Sequence, residues 1–299
     1  MNSGAAQPSR DRVLALLALL VLSFAWGLNW AIIKIAVEYA PPLVFAASRM
    51  LGGGLVLLAI CAWRRRGVRP QFPLHYALIG LFQTAAFMGL VTIAVTFSGI
   101  GAISTLAYTM PLWVAVAGLF FLGERLHWLQ IVALGFAMLG ILAIVGFDRI
   151  GSAVLADVLA LLAGVAWAVG VVITKMLANR TKIDVIELTT WQMLAGGVAL
   201  AVAAWIAPHP ATVYSVAYIW SLIYNIFIAT ALAYVLWSYV VERLPARDAS
   251  MGVLSNPVVG ILAGWIFLAE VPTANVAWGI AFTLAGMGLM AYADRAGAT

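Results

Sequence analysis

Apolar residues occur along this chain in long continuous runs, separated by short stretches that carry most of the charges. Each run has about 20 residues, the length that an α-helix needs to cross roughly 30 Å of hydrocarbon. The runs lack the alternation of apolar and polar residues that is typical of barrel strands, so helices are the predicted elements. Ten membrane-spanning helices are predicted, at 13–33, 42–63, 75–97, 102–122, 128–146, 156–177, 186–207, 216–239, 249–268 and 274–292.

The composition excludes a soluble protein. The 299 residues are 65% hydrophobic and only 9% charged, whereas a soluble domain carries roughly 25% charged residues. The expected fold class is therefore an all-α polytopic membrane protein. A single cysteine, Cys61, excludes an intramolecular disulfide and a thiolate metal cluster. No metal and no cofactor is predicted.

The positions of the basic residues predict the orientation in the membrane. If the N-terminus is cytoplasmic, all of the 16 Lys and Arg residues except Lys34, Arg49 and Arg149 fall on or near the inner side. Such a bias is typical of cytoplasmic loops. We therefore expect both termini in the cytoplasm and the protein in the cytoplasmic (inner) membrane. The basic segment 64–69 is interpreted as an inner-surface anchor, and no nucleic-acid partner is expected.

The chain contains the same design twice. Each copy would hold five spans, and an odd number of spans places two copies in opposite orientations in one membrane. The sequence thus predicts two inverted five-helix repeats, 13–146 for spans 1–5 and 156–292 for spans 6–10, which together form one transport unit. The clearest matches are Trp26–Lys34 with Trp167–Lys175, Arg49–Gly54 with Gln192–Gly197, and Met110-Pro111 and Glu124 with Asn256-Pro257 and Glu270.

These repeated segments resemble the drug/metabolite transporter superfamily, and its EamA-type exporters in particular. The resemblance rests on W-G-x-N-x-x-x-x-K in the first span, an Arg before small residues in the second, and a Pro with a terminal G-E-R-L in the fourth. It covers about residues 13–292 and implies an alternating-access exporter of small organic metabolites. A likeness to YddG-like aromatic amino-acid exporters points to aromatic or other neutral amino acids. The second copy departs from the pattern at Gly170 and Gln192, so the site need not be symmetric.

Candidate substrate-binding residues are aromatic or amide side chains at matching places in the two copies. Trp26, Asn29 and Trp30 share one face of the first predicted helix. Because Asn is costly against lipid, this face is expected to line either a cavity or a helix contact, and both readings stay open. The complete predicted set is Trp26, Asn29, Trp30, Gln83, Phe87, Tyr108, Trp167, Tyr234, Trp237 and Asn256.

Other residues are candidates for binding charge or for motion. Arg49 lies about 10 Å deep in its span and would either receive a substrate carboxylate or bond backbone carbonyls. Pro111 and Pro257 should kink their helices, as hinges or as static bends. The charges expected to act in gates or in structure are Lys34, Glu124, Lys175 and Glu270.

Several functions are disfavoured or remain alternatives. No Asp, Glu or His lies in the middle of a predicted span, so proton coupling through an edge carboxylate and facilitated diffusion are both open. The nucleotide-binding motif G-x-x-x-x-G-K-[ST] and the metalloprotease motif H-E-x-x-H are missing, and an enzyme is not expected. Efflux of nucleobases, cationic drugs or sugar conjugates, a channel and a membrane receptor are the alternatives. The expected partners are a small solute and the lipid bilayer; a monomer is favoured and a dimer stays open.

Overall fold

The computed structural model describes residues 10–64, 68–121, 127–145, 151–244 and 255–296, and these residues form helices and their connections. No strand occurs among them. The helices are labelled in chain order as α1 Arg10–Ala36, α2 Pro42–Trp63, α3 Pro73–Ala94, α4 Ile100–Phe120, α5 Trp128–Val145, α6 Ser152–Ala178, α7 Val185–Ile206, α8 Val216–Val240, α9 Ser255–Leu268 and α10 Ala274–Ala296.

The predicted fold class, an all-helical polytopic membrane protein, is confirmed. Nine of the described helices are long and apolar enough to cross a membrane, and α9 is apolar but shorter. The number of ten spans therefore stays a prediction. Helices α1, α6, α8 and α10 extend one to four residues beyond the predicted bounds, because hydropathy marks only the part of a helix that lies in hydrocarbon. Helices α3 and α7 instead end three residues and one residue before the predicted ends.

Local sequence signals explain where several helices begin. Pro42 and Pro73 occupy the first turns of α2 and α3, where the missing N–H of proline costs nothing. Asp184 caps α7, its carboxylate accepting from the backbone N–H of Ile186 at 2.9 Å. Ser215 caps α8 by accepting from the N–H of Tyr218 at 3.1 Å.

Helix contacts between the two halves follow a two-fold pattern. Helix α1 packs against α8 and α9, and its counterpart α6 packs in the same way against α3 and α4. Helices α2 and α7 are counterparts that pack against each other, and so are α5 and α10. Each half thus packs its helices against those of the other.

Glycines allow the counterpart helices to approach closely. A Cβ at Gly54 of α2 would lie 2.9 Å from the Leu194 side chain, and a Cβ at Gly197 of α7 would lie 2.9 Å from Leu51. Helices α5 and α10 also approach closely. A Cβ at Gly140 of α5 would lie 2.5 Å from the backbone N of Thr283 in α10. Small residues of this kind are the usual means by which membrane helices pack, since lipid provides no hydrophobic drive between them.

Substitution of Gly140 by Ala should lower the melting temperature of the purified protein. The added methyl group would also lie 2.6 Å from the Gly279 carbonyl oxygen, and such overpacking costs about 1–3 kcal/mol. Gly135 on the same helix has open space around it, so Gly135→Ala is the matched control and should leave the melting temperature unchanged or raise it. Equal melting temperatures for the two variants, measured by tryptophan fluorescence in detergent, would contradict the packing described for α5 and α10.

Candidate functional site

A cavity of about 540 Å³ lies between the two halves. It is lined by α1, α2, α3 and α4 from the first half and by α6, α7, α8 and α9 from the second. All ten predicted substrate-binding residues line it, and so do Arg49, Pro111 and Lys175. The structure thus brings together at one cavity side chains that the sequence singled out on seven different helices.

Aromatic rings form two groups on the cavity wall. In the first, the ring of Trp26 lies 5.6 Å from that of Tyr234 and 6.0 Å from that of Trp237, measured between centroids. In the second, the rings of Trp30 and Tyr108 are 5.9 Å apart. Another close pair, Phe87 and Trp167 at 4.8 Å, joins α3 to α6 in an edge-on arrangement. Ring contacts of this kind provide a rigid apolar surface for a flat organic solute.

Arg49 places a buried positive charge at the cavity. Only 2% of the residue is exposed, and its Nε and Nη1 atoms have no hydrogen-bond partner among the described residues. A buried guanidinium is costly without an acceptor, so this position suits the carboxylate of a bound solute.

Neutral polar atoms without partners also surround the cavity. Within the described part of the chain, Asn29 Oδ1, Gln192 Oε1, Thr230 Oγ1 and both side-chain amide atoms of Asn256 lack hydrogen bonds, although each residue is at most 6% exposed. Buried polar groups are bonded in most proteins, and clustered exceptions call for a water or a ligand. The cavity therefore offers a set of donors and acceptors to a polar solute.

Two helices that line the cavity contain π-helical turns at equivalent positions. These are Gly80–Ala86 in α3 and Tyr224–Leu232 in α8. In a π-helix the hydrogen bonds are rearranged, and such segments often occur at functional sites. A cavity residue bonds to the second of these segments: the Trp26 indole N–H donates to the Ala229 carbonyl oxygen at 3.0 Å. Nothing in the amino-acid pattern predicted these segments.

The two halves differ at the positions of Asn29 and Gln83. A Cβ at Gly170 would lie 2.7 Å from the Gln83 Cβ, so the missing side chain on α6 leaves room for Gln83 on α3. Asn29 is the first-half residue equivalent to Gly170, and Ala229 is the second-half residue equivalent to Gln83. At these two pairs of positions the amide therefore comes from the first half. The sequence indicated the difference between Asn29 and Gly170 but not the role of Gln83 in filling the gap.

A charged cluster includes Lys34, which follows the cavity-lining residue Ile33. Lys34 Nζ donates to the carbonyl oxygens of Val95 at 2.5 Å and Ser98 at 2.9 Å, and lies 3.8 Å from Glu270 Oε1. Glu270 Oε2 in turn accepts from the backbone N–H of Ile100 at 2.7 Å, which caps the N-terminus of α4. This cluster, Lys34 with Glu270 and the 95–100 segment, is called the closing cluster below. It joins α9 of the second half to α1 and α4 of the first.

The backbone before Glu270 is in an unfavourable conformation. Ala269 has a φ of 53°, in the left-handed region that costs a non-glycine residue about 1–2 kcal/mol. The equivalent residue of the first half is Gly123, which bears no such cost. The strained turn directs Glu270 back toward the body of the protein, where its N–H donates to the Gly264 carbonyl oxygen at 3.0 Å.

The remaining predicted residues differ in their placement. Helix α4 is broken between Ala107 and Met110, directly before Pro111, and Pro257 lies within the described part of α9. Glu124 lies outside the described residues. Lining residues that the sequence did not single out as binding residues include Thr189, Gln192 and Thr230. The repeated threonines Thr84 and Thr230, at an offset of 146, were the signal that could have indicated one of them.

Known proteins place the chain in context. The model of the EamA-like transporter family matches residues 13–146 and 154–292. The chain is 27% identical to the transporter YoaV of Bacillus subtilis, over 92% of this chain and 96% of YoaV. It is 29% identical to a protein of Escherichia coli named as an amino-acid metabolite efflux pump, over 87% and 88% of the two chains. It is also 30% identical to the inner membrane transporter YedA of Escherichia coli, over 83% and 80%.

A solved crystal structure shares the fold. Its TM-score to this chain is 0.65 at 20% sequence identity, and the match covers 97% of this chain and 99% of the other. At this identity the likeness concerns the arrangement of helices and not the solute.

Substitution of Ala269 by Gly should raise the melting temperature, because glycine adopts the positive φ of this turn without strain. The expected gain is about 1 kcal/mol. Ala203→Gly in the last turns of α7, where the helix carbonyl of Ala203 accepts from Ala207, is the matched control and should lower the melting temperature. A loss of stability in both variants would show that the turn at Ala269 is not strained.

Proposed function

We propose that this chain, which belongs to the EamA-like transporter family, is an alternating-access exporter of small organic metabolites and carries aromatic or other neutral amino acids. The observation that supports the cargo is the composition of the cavity wall. Rigid aromatic groups lie beside the buried guanidinium of Arg49, and these are the contacts that an aromatic ring and a carboxylate require. The name of the efflux pump among its relatives supports the same direction of transport.

The two ends of the cavity support alternating access. Its lining continues to Ala178 and Val185, which flank the connection between α6 and α7. Toward the other end the lining reaches Ile33 and Val91, next to the closing cluster. In the orientation predicted from the basic residues, the first of these ends is cytoplasmic. A solute would enter there from the cytoplasm and leave after the closing cluster has separated.

In this mechanism the closing cluster holds the outer end shut. Its contacts with Glu270 join the two halves, so a rocking motion of one repeat against the other must break them. The break in α4 before Pro111 and the segment of α9 at Pro257 are the proposed hinges. Lys175 and Glu124 are equivalent in sequence to Lys34 and Glu270, and we propose gate or structural roles for them at the opposite end.

Purified protein in liposomes should show saturable counterflow of tryptophan, phenylalanine or another neutral amino acid. Arg49→Gln should weaken transport by about 30-fold or more, because loss of one partner of a buried charged pair costs at least about 2 kcal/mol. Arg64→Gln, at the exposed end of the same helix, is the matched control and should retain counterflow. Counterflow of nucleobases or cationic drugs but not of amino acids would show that the protein is a carrier and that the proposed cargo is wrong. Non-saturable flux without counterflow would indicate a channel and overturn the proposal.

Glu270→Gln should expose the cavity from its closed end. The variant loses the ion pair with Lys34 and the charge that caps α4, so the open state at that end becomes more populated. The measurement uses Ile33→Cys in a Cys61→Ala background, with an impermeant maleimide added to the outer side of oriented vesicles. Labelling should rise about fivefold or more over the parent, and Glu38→Gln, an exposed carboxylate on the same side, should not change it. Equal labelling in all three proteins would contradict a gating role for the closing cluster.

A further inference from the structure

We propose that the cavity recognises the carboxylate and the ring of its cargo and not an α-ammonium group. It would then also carry aromatic monocarboxylates in which a hydroxyl replaces the amine. This inference rests on the proposed function, since it concerns the same cavity and the same carrier. It extends the cargo from zwitterions to organic anions.

Arg49 is the charged group on which recognition depends. It lies in the cavity wall, and no carboxylate and no histidine occurs among the described lining residues. A cation near the buried guanidinium is repelled, and the repulsion is strong in a site with little water. An anion at the same place is attracted.

Arg49 can donate to a carboxylate. Its Nε and Nη1 atoms lack partners in the described part of the chain. Each of them shares an edge of the guanidinium with Nη2, and each of these edges matches the two oxygens of a carboxylate. A bound carboxylate would satisfy these buried donors and neutralise the charge. The ring of the cargo would then lie against the aromatic groups of the wall.

An ammonium group finds only neutral acceptors. The unpartnered oxygens at the cavity are Asn29 Oδ1, Gln192 Oε1, Thr230 Oγ1 and Asn256 Oδ1. Amide oxygens accept from a hydroxyl as readily as from an ammonium, and the hydroxyl is far less costly to take out of water. Replacement of the amine by a hydroxyl therefore keeps the hydrogen bond and removes the repulsion.

The charge of the cargo determines what drives its export. A zwitterion crosses without net charge, whereas a monocarboxylate carries one negative charge and is driven outward by a membrane potential that is negative inside. No titratable carboxylate or histidine of the described lining residues would exchange a proton with it. Transport of the anion should therefore be electrogenic.

Phenylalanine and 3-phenyllactate form the matched pair of probes, because they differ only by the amine and the hydroxyl. Binding is measured by quenching of tryptophan fluorescence in detergent, since four Trp residues line the cavity, and transport by counterflow in liposomes at pH 7 with protein-free liposomes as the control. We expect 3-phenyllactate to bind about tenfold more tightly than phenylalanine. A potential negative on the 3-phenyllactate side, set with potassium and valinomycin, should speed its exit several-fold and leave phenylalanine exchange unchanged.

The isosteric variants Asn29→Asp and Gln192→Glu test the electrostatic basis. Each adds a carboxylate where an amide oxygen now lacks a partner, so at least one should reverse the preference and favour phenylalanine. Arg49→Gln should lose binding of both probes. Tighter binding of phenylalanine by the unaltered protein, or an unchanged preference in both isosteric variants, overturns the inference. If phenylalanine shows counterflow and 3-phenyllactate does not, the inference fails and the proposed function stands. If neither probe nor any other amino acid shows counterflow, the inference and the proposed function both fail.

Discussion

The hydrocarbon of a bilayer provides no hydrogen-bond partner, and this constraint governs the whole structure. Every described span is helical, and small polar side chains within the spans return to their own backbone. Thr190 Oγ1 donates to the Ile186 carbonyl at 2.7 Å, and Thr283 Oγ1 donates to the Gly279 carbonyl at 2.8 Å. Most of the buried polar atoms that lack partners in the described residues belong to side chains that line the cavity between the halves. Among the described residues, the clustered unsatisfied groups therefore mark the cavity as a place for water or solute.

The same constraint explains how much the sequence could predict. Helices in lipid require long apolar runs, so the fold class and the approximate bounds of the helices could be predicted from hydropathy. The ten candidate residues were found because Asn, Gln and clustered aromatics are costly or unusual within such runs, and because the duplication pointed to matching positions. Asn29 and Trp26, one turn apart on α1, illustrate this: both line the cavity. Their binding of substrate stays a proposal.

Features that depend on contacts between helices could not be predicted. The π-helical segments arise in α3 and α8 without a proline or another local signal, where the first contains Gly80 packed against Gly196. The ion pair of Lys34 with Glu270 joins residues that are far apart in sequence. Glu270 caps the N-terminus of α4, and this contact places its carboxylate near the lysine.

The inequality of the halves has a physical reason at α2 and α7. These counterpart helices pack directly against each other, so a residue and its equivalent both border the same cavity. An exact duplication would place two guanidinium groups, at positions 49 and 192, around about 540 Å³ of space. Two buried like charges repel each other and would require a dianion to neutralise them. With Gln instead of Arg at position 192, the second charge is absent and a neutral amide borders the cavity there. The single Arg49 that remains suits a cargo with one carboxylate.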